Sequence, residues 1–257
     1  MNYRRTQSVA SRFEVVAQSE STNAALRAHA SDADGWPHLS VLITTDQTAG
    51  RGRLDRSWIA PAGSALAISV LLRDLPPRSE VFGWIPLAAG VAMADAVSAQ
   101  LPEHEVGLKW PNDVLVDDLK ICGILAEASA GAVIVGAGVN TLMTNEQLPV
   151  PTATSFAVLG VGVDPDRLVA DYVGRLDGLL RGLAETGDAV VTGLHAETAA
   201  QCVTIGRDVD VSLPDGSALH GTAIRLESDG RLAVEVDGSE TLVGAGDVVH
   251  ARLRRTA

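Results

Sequence analysis

Lysine is nearly absent from this 257-residue chain: of its 20 basic residues only Lys109 and Lys120 are lysine, and the rest are arginine. Cysteine is as scarce. Cys122 and Cys202 lie far apart and outside any CxxC pair, which argues against a disulfide framework and a thiolate zinc site. Six histidines are scattered without HxH or HxxxH spacing, so no histidine metal centre is expected. Charges, prolines or glycines interrupt every apolar stretch before it reaches the roughly 20 residues a bilayer requires. The opening MNYRRTQSVASRFEVV is basic but has no apolar region behind it, a poor secretory signal, so the cytoplasm is the expected compartment. Walker A, GxSxG and GxGxxG motifs are missing; Gly136-Ala137-Gly138-Val139-Asn140 comes near the last, but position 141 is threonine.

Positive charge is also in deficit. A net charge of −12 repels a phosphate backbone or an anionic membrane over most of the surface, so neither DNA nor membrane is an expected partner. Local exceptions therefore carry information. Ala49-Gly50-Arg51-Gly52-Arg53-Leu54-Asp55-Arg56-Ser57-Trp58 holds three arginines against one aspartate. The two lysines fall close together in mid-chain, and arginine does not replace lysine where a compact point charge on a thin stem is needed.

With 46% hydrophobic and 20% charged residues the composition is that of a globular protein, long enough for a medium domain and a small appendage. Strands are expected over residues 12–17, 41–45, 65–72, 106–110, 114–116, 120–128 and 133–139. Ser19-Glu20-Ser21-Thr22-Asn23 supplies capping residue types for a short helix. Longer helices are expected over 81–101, from Asp164-Pro165 through Leu183, and over 188–201. Beyond 203 the texture changes to short strands with hairpin signals at Pro214-Asp215-Gly216, Ser228-Asp229-Gly230 and Asp237-Gly238, a module of small-barrel size. The expected organisation is an α/β (α+β) domain over residues 1–202 and a small β domain over 203–257.

Three segments hold chemistry-bearing residues. In Gly50-Arg51-Gly52-Arg53, glycines let backbone N–H groups approach an anion and the arginines supply planar forks for phosphate or carboxylate. Trp58 can stack on a purine. The loop has too little apolar content to hold itself in place and is expected to be mobile until a ligand neutralises it. Lys109-Trp110-Pro111-Asn112-Asp113 ends one strand and begins the next, although an Asn-Asp turn by itself is ordinary turn chemistry. Lys120 heads an apolar strand, where an ammonium meets an anion, loses its proton or snorkels to water. On the residues alone, this is an anion-handling site built from an arginine loop and two lysines.

Taken in order, Ser21-Thr22-Asn23, Gln47-Thr48-Ala49-Gly50-Arg51-Gly52-Arg53, Lys109-Trp110-Pro111-Asn112-Asp113, Lys120 with Gly123-Ile124-Leu125 and Glu127, and Gly136-Ala137-Gly138-Val139-Asn140 closely resemble the biotin–protein ligase family. The resemblance is strong over residues 12–142, and the C-terminal module is similar to that family's closing domain. It implies a mixed sheet with helices related to class II aminoacyl-tRNA synthetases, plus an SH3-like barrel. It implies a two-step reaction in which ATP activates biotin as biotinyl-5′-AMP. The acyl group then passes to the lysine amine of a biotin carboxyl carrier domain of acyl-CoA or pyruvate carboxylases.

The resemblance also implies a site. Ser21, Thr22 and Gln47 hold the ureido ring with Asn23, Gly50 and the backbone of Arg51, while Gly123 and Leu125 flank the thiophene and tail. Lys120 reaches the biotin carboxylate and the α-phosphate, and Arg53 does similar work from its loop. ATP is met by Arg51, Arg53, Arg56, Lys109 and Asn112, with Trp58 over the adenine and Asn140 at its edge. Asp113 orients or deprotonates the acceptor amine. Mg²⁺ rides on the triphosphate and not in a protein cage. Asp55 departs from the glycine found there in many relatives, and the residues before Arg12 are too few for a helix-turn-helix, as in the short, non-repressor form. A monomer or homodimer is expected. Two alternatives stay open, a lipoate–protein ligase of the same superfamily and a non-catalytic nucleotide-binding module.

Overall fold

The computed structural model describes residues 2–53, 56–76, 79–213, 216–244 and 247–250. Asp55 and the Pro214-Asp215 hairpin signal lie outside the described residues. The first half runs α1 (Arg4–Val9), β1 (Arg12–Val15), α2 (Thr22–Ala28), β2 (Ser40–Thr44), β3 (Gly50–Arg51), β4 (Ser57–Trp58), β5 (Ala65–Leu72) and α3 (Trp84–Ser98). Then come β6 (Val106–Lys109), β7 (Asp113–Val116), β8 (Leu119–Ser129), β9 (Ala132–Asn140), α4 (Pro165–Thr186) and α5 (Leu194–Gln201). Five strands close the chain: β10 (Asp208–Ser212), β11 (Ala218–Leu226), β12 (Leu232–Val236), β13 (Ser239–Val243) and β14 (Asp247–His250).

Seven strands form a mixed sheet in the order β1-β2-β5-β9-β8-β7-β6, with β1 and β2 parallel and the other pairs antiparallel. Its two faces have different fates. One face buries Leu66, Ile68, Val70 and Leu72 of β5, Val135 and Val139 of β9, and Cys122 and Ile124 of β8 in the main core under α3 and α4. The alternate residues point the other way. There Leu42, Leu71 and Ile134 meet Leu26, Ala30 and Trp36, but α2 has only seven residues and packs on β2, β5 and β9. The face towards β8 and β7 is left open.

Helix α3 has 12 of its 15 residues buried, which suits an element enclosed by the sheet, α4 and α5. Helix α4 starts as its sequence dictates: the Asp164 side chain accepts the Arg167 N–H at 3.1 Å and Pro165 occupies the first turn. It stops at Gly187, whose φ of 66° suits a residue without Cβ. Leu168, Tyr172, Leu176 and Leu183 are fully buried along its inner stripe.

Two expectations need correction. Residues 4–9 form a helix that the sequence reading left unassigned, because its reason lies far along the chain: Asp166 accepts the N–H groups of Arg5 and Thr6 and the Thr6 hydroxyl. The helix expected over 188–201 begins only at Leu194. Asp188 takes the N–H groups of Val190 and Val191 with its own side chain, and Gly193 adopts φ 82°.

The C-terminal strands form an antiparallel sheet in the order β13-β12-β11-β10-β14. The segment leading into it is tied to the large sheet by a bridge between Leu108 and Cys202, where the Val203 N–H donates to Leu108 O at 2.9 Å. Among the described residues no helix is long and apolar enough to cross a membrane.

Candidate active site

The open part of the sheet is floored by very small residues. One cross-strand row reads Ala67, Gly138, Gly123, Asp113, and the next reads Ser69, Gly136, Leu125. The result is a cavity of about 310 Å³ above the strands. The glycines create it by letting neighbours lie on the backbone. A Cβ on Gly138 would come within 2.6 Å of the Trp58 indole, one on Gly136 would strike the Asn23 amide, and one on Gly123 would stand 3.0 Å from Lys120 Nζ. Beneath this floor burial pushes the Cys122 thiol well above its usual range, an effect only partly opposed by Lys120, so that sulfur is apolar filling and not a nucleophile.

One wall is neutral and polar. Beyond β1 and β2 the chain keeps its parallel course, with the Thr48 and Ala49 N–H groups bonded to Ser19 and Glu20 oxygens. That brings Gln47 to the start of α2, where its Oε1 accepts from the Thr22 N–H at 2.9 Å and the Thr22 hydroxyl at 3.1 Å. Ser21 caps α2 by accepting the Ala24 N–H. Asn23 is committed inside the fold: Nδ2 donates to Glu127 and Leu125 O, and Oδ1 accepts from the buried Ser69 hydroxyl at 2.6 Å.

A second wall is charged, and an irregularity in β8 creates it. Asp113 pairs with Gly123 and Val114 with Cys122, but Leu115 pairs with Lys120, so Ile121 is an extra residue in a β-bulge. Simple alternation would place Lys120 on the core face with Cys122. The bulge buries Ile121 instead and turns Lys120 onto the floor side, where Nζ lies 2.6 Å from Asp113 Oδ1. Lys109 approaches the other oxygen of Asp113 at 4.0 Å, so both lysines of the chain meet one carboxylate. Asn112 joins this wall to β8 by donating to Ile124 O at 2.7 Å, and it accepts from Arg53 Nη1 at 3.1 Å.

The arginine segment, expected as an unsupported loop, is the tip of a small hairpin. Gly50 pairs with Trp58 and Arg51 with Ser57, and the Gly52 N–H donates to Arg56 O. Gly50 is behind the wall, because a Cβ there would collide with the Gln47 side chain and Trp58 O. Arg51, Arg53, Arg56 and Trp58 line the cavity, as do Ser21, Thr22, Asn23, Gln47, Asn112, Asp113, Lys120, Gly123, Leu125 and Asn140. Of the residues singled out from the sequence, Gly50 and Lys109 are outside the lining. A third wall escaped the sequence reading: Pro149, Val150 and Ala153, tied down by bonds from the Lys120 N–H to Thr152 O and from Asn140 Nδ2 to Thr154 O. Their run, Pro149-Val150-Pro151, has no period to betray it.

Chemically, the cavity has a neutral hydrogen-bonding end, a smooth middle and a cationic end with one carboxylate among the cations. Such a chamber holds an extended amphipathic acid and brings its carboxylate to a second anion.

The biotin/lipoate A/B protein ligase family matches residues 15–141. Over 246 residues the chain is 40% identical to the biotin–[acetyl-CoA-carboxylase] ligase of Mycobacterium tuberculosis, covering 93% of this chain and 89% of that one. It is 29% identical to the bifunctional ligase/repressor BirA of Escherichia coli, covering 76% of this chain and 61% of that one. Among solved structures, the biotin protein ligase from Aquifex aeolicus in complex with biotin and ATP is similar in fold, with a TM-score of 0.78 at 23% identity, over 94% of this chain and 100% of that one.

Proposed function

We propose, on the premise that the chain belongs to the biotin/lipoate A/B protein ligase family, that it forms biotinyl-5′-AMP from biotin and ATP and passes biotin to the lysine amine of a carrier domain. The observation that carries this reading is the meeting of Lys120 with Asp113, and of Arg53 with Asn112, across a glycine floor from the neutral Thr22–Gln47 pair. The neutral end takes the ureido ring: Ser21, Thr22 and Gln47 bond it, the backbone at Arg51 contributes, and Asn23 and Gly50 hold the wall in place. A ligand without that ring leaves the polar groups unpaired and is rejected by roughly 10⁴-fold or more. Gly123 and Leu125 flank the thiophene and the tail.

In the first step a carboxylate oxygen of biotin attacks the α-phosphorus and pyrophosphate leaves. The Lys120 ammonium relieves repulsion between the two anions and stabilises charge on the phosphoryl oxygens. Arg53 assists from the hairpin tip and shields the mixed anhydride from water. Arg51, Arg56, Lys109 and Asn112 meet the triphosphate, Trp58 covers the adenine and Asn140 offers its edge a bond. Mg²⁺ would enter on the triphosphate, since Asp113 is already paired with Lys120. In the second step the acceptor amine attacks the acyl carbon, AMP leaves, and Asp113 orients the amine or takes its proton.

The acceptors are biotin carboxyl carrier domains of acyl-CoA or pyruvate carboxylases, met in the cytoplasm by a monomer or homodimer. The seven-stranded sheet is read as kin to class II aminoacyl-tRNA synthetases, and the antiparallel C-terminal strands as an SH3-like barrel beginning near residue 203. Mixing the protein with biotin and Mg-ATP and searching for biotinyl-AMP by mass spectrometry tests the reading, and the adenylate is expected. Lipoyl-AMP from lipoate, with no biotinyl-AMP, would move the assignment to the lipoate branch.

A further inference from the structure

We propose that the C-terminal sheet holds the charged wall in register through one indole: the Ser228-Asp229-Gly230 turn fixes Trp110, and Trp110 fixes the turn carrying Asn112 and Asp113. The inference rests on the reading of the cavity as an adenylate-forming site.

The connection between β11 and β12 faces two buried tryptophans. Trp84 Nε1 donates to Ser228 O at 2.9 Å, and Trp110 Nε1 donates to Gly230 O at 3.0 Å. Gly230 has φ 86°, and a Cβ on it would stand 3.1 Å from Leu87, so the turn sits against α3 in a form suited to glycine. The Trp110 backbone N–H donates to the Thr204 hydroxyl at 3.0 Å. Trp110 is therefore bonded, through ring and main chain, to residues that follow the large sheet. One proline later, Asn112 accepts from Arg53 and donates to Ile124 O, and Asp113 follows with Lys120.

A second cavity, of about 170 Å³, separates the two turns, with Arg53, Pro111, Asn112, Asp229, Gly230 and Arg231 in its wall. Facing that gap, the Pro111–Asn112 turn is held on one side by the two bonds between Asn112 and Ile124 of β8, and on the other by the directional bonds of Trp110 to Gly230 and Thr204. A displacement near 1 Å at a site of this kind costs about 100-fold in rate. Trp110 acts on the reaction through Asn112 and Arg53, as a positioning residue.

Trp84 supplies the matched control. It makes the same bond to the same turn and is equally buried, but it lies on α3, which contributes nothing to the lining of the main cavity. The experiment compares Trp110→Phe and Trp84→Phe in the full chain, reading single-turnover formation of biotinyl-AMP at saturating biotin and ATP, biotin Kd and thermal midpoint. Trp110→Phe is expected to slow adenylate formation by about 10- to 100-fold with biotin Kd unchanged within about twofold. Trp84→Phe is expected to keep the wild-type rate within about twofold while losing a similar amount of thermal stability. Thr204→Val, which removes the other bond to Trp110 at nearly constant volume, is expected to slow the same step and gives a reading where Trp110→Phe does not fold. An unchanged rate in both Trp110→Phe and Thr204→Val overturns the inference, as does an equal rate loss in the two tryptophan variants. A wild-type protein that makes no biotinyl-AMP sinks the functional reading itself, a different result from either.

Discussion

Gly138 and Lys120 do opposite jobs on one floor, the first by having no side chain and the second by having a thin one. An alanine at Gly138 would push Trp58 off the backbone it rests on. Gly138→Ala is therefore predicted to raise the KM for ATP by about tenfold, the effect of a small overpacking strain of about 1–3 kcal/mol, while biotin affinity stays within about twofold. Steady-state kinetics with each substrate varied in turn checks this. Lys120→Ala removes the cation from the meeting point of two anions and is predicted to lower the rate of adenylate formation by about 10³-fold. Lys120→Arg should not restore it, because a planar guanidinium does not fit the space of an ammonium so close to the floor that a Cβ on Gly123 would come within 3.0 Å of it. At this scale much was legible. A chain with only two lysines, close together in mid-chain, pointed to the segment where both meet one carboxylate, Asp113. Pro149 and Val150 did not announce themselves, since an apolar wall on a loop has neither charge nor period to set it apart.

Among elements, β5 runs over residues 65–72 as its apolar run dictates, and α4 starts at its Asp-Pro cap. Local chemistry decides such boundaries, so sequence is enough to place them. The bulge in β8 is different. Reading Lys120 to Leu125 by alternation assigns the lysine to the core side, and only pairing with β7 reveals that Ile121 is supernumerary. Removing Ile121 takes out the extra residue and leaves Lys120 next to Cys122 in a plain ladder, still opposite Leu115 on the floor side. The deletion is predicted to keep adenylate formation well above that of Lys120→Ala, and to destabilise the fold by about 2–5 kcal/mol through the lost core side chain. Denaturant unfolding and the adenylation assay read the two effects separately. A deletion variant as inactive as Lys120→Ala would mean that the bulge itself, and not only the face on which position 120 lies, aims the lysine. The α5 start illustrates a commoner limit: Asp188 spends its side chain on the Val190 and Val191 N–H groups, an alternative to helix that propensity does not rank.

For the whole molecule, contacts distant in sequence dominate what could not be foreseen. Helix α1 docks on α4 across some 160 positions through Asp166. Burial alone would raise that carboxyl's pKa, but the Thr6 and Arg5 N–H groups and the Thr6 hydroxyl outweigh burial and hold it below the ordinary carboxylate range. A depressed pKa in the folded state gives stability that is whole above the unfolded value near 4 and drains away as pH falls through the folded one. The α1 amides should therefore lose hydrogen-exchange protection below about pH 4, after correction for intrinsic rates, and Asp166→Asn should lack that protection at every pH. The strand β8 ties the scales together. Its residues alternate between Cys122 and Ile124, which fill the main core, and Gly123 and Leu125, which surface the chamber. Mutational drift along this strand thus answers to two judges in turn, stability at one position and chemistry at the next. An engineer who wants the chamber to admit a bulkier acid has little freedom there, and the productive libraries lie at the rim, in Pro149-Val150, which stands outside the main core.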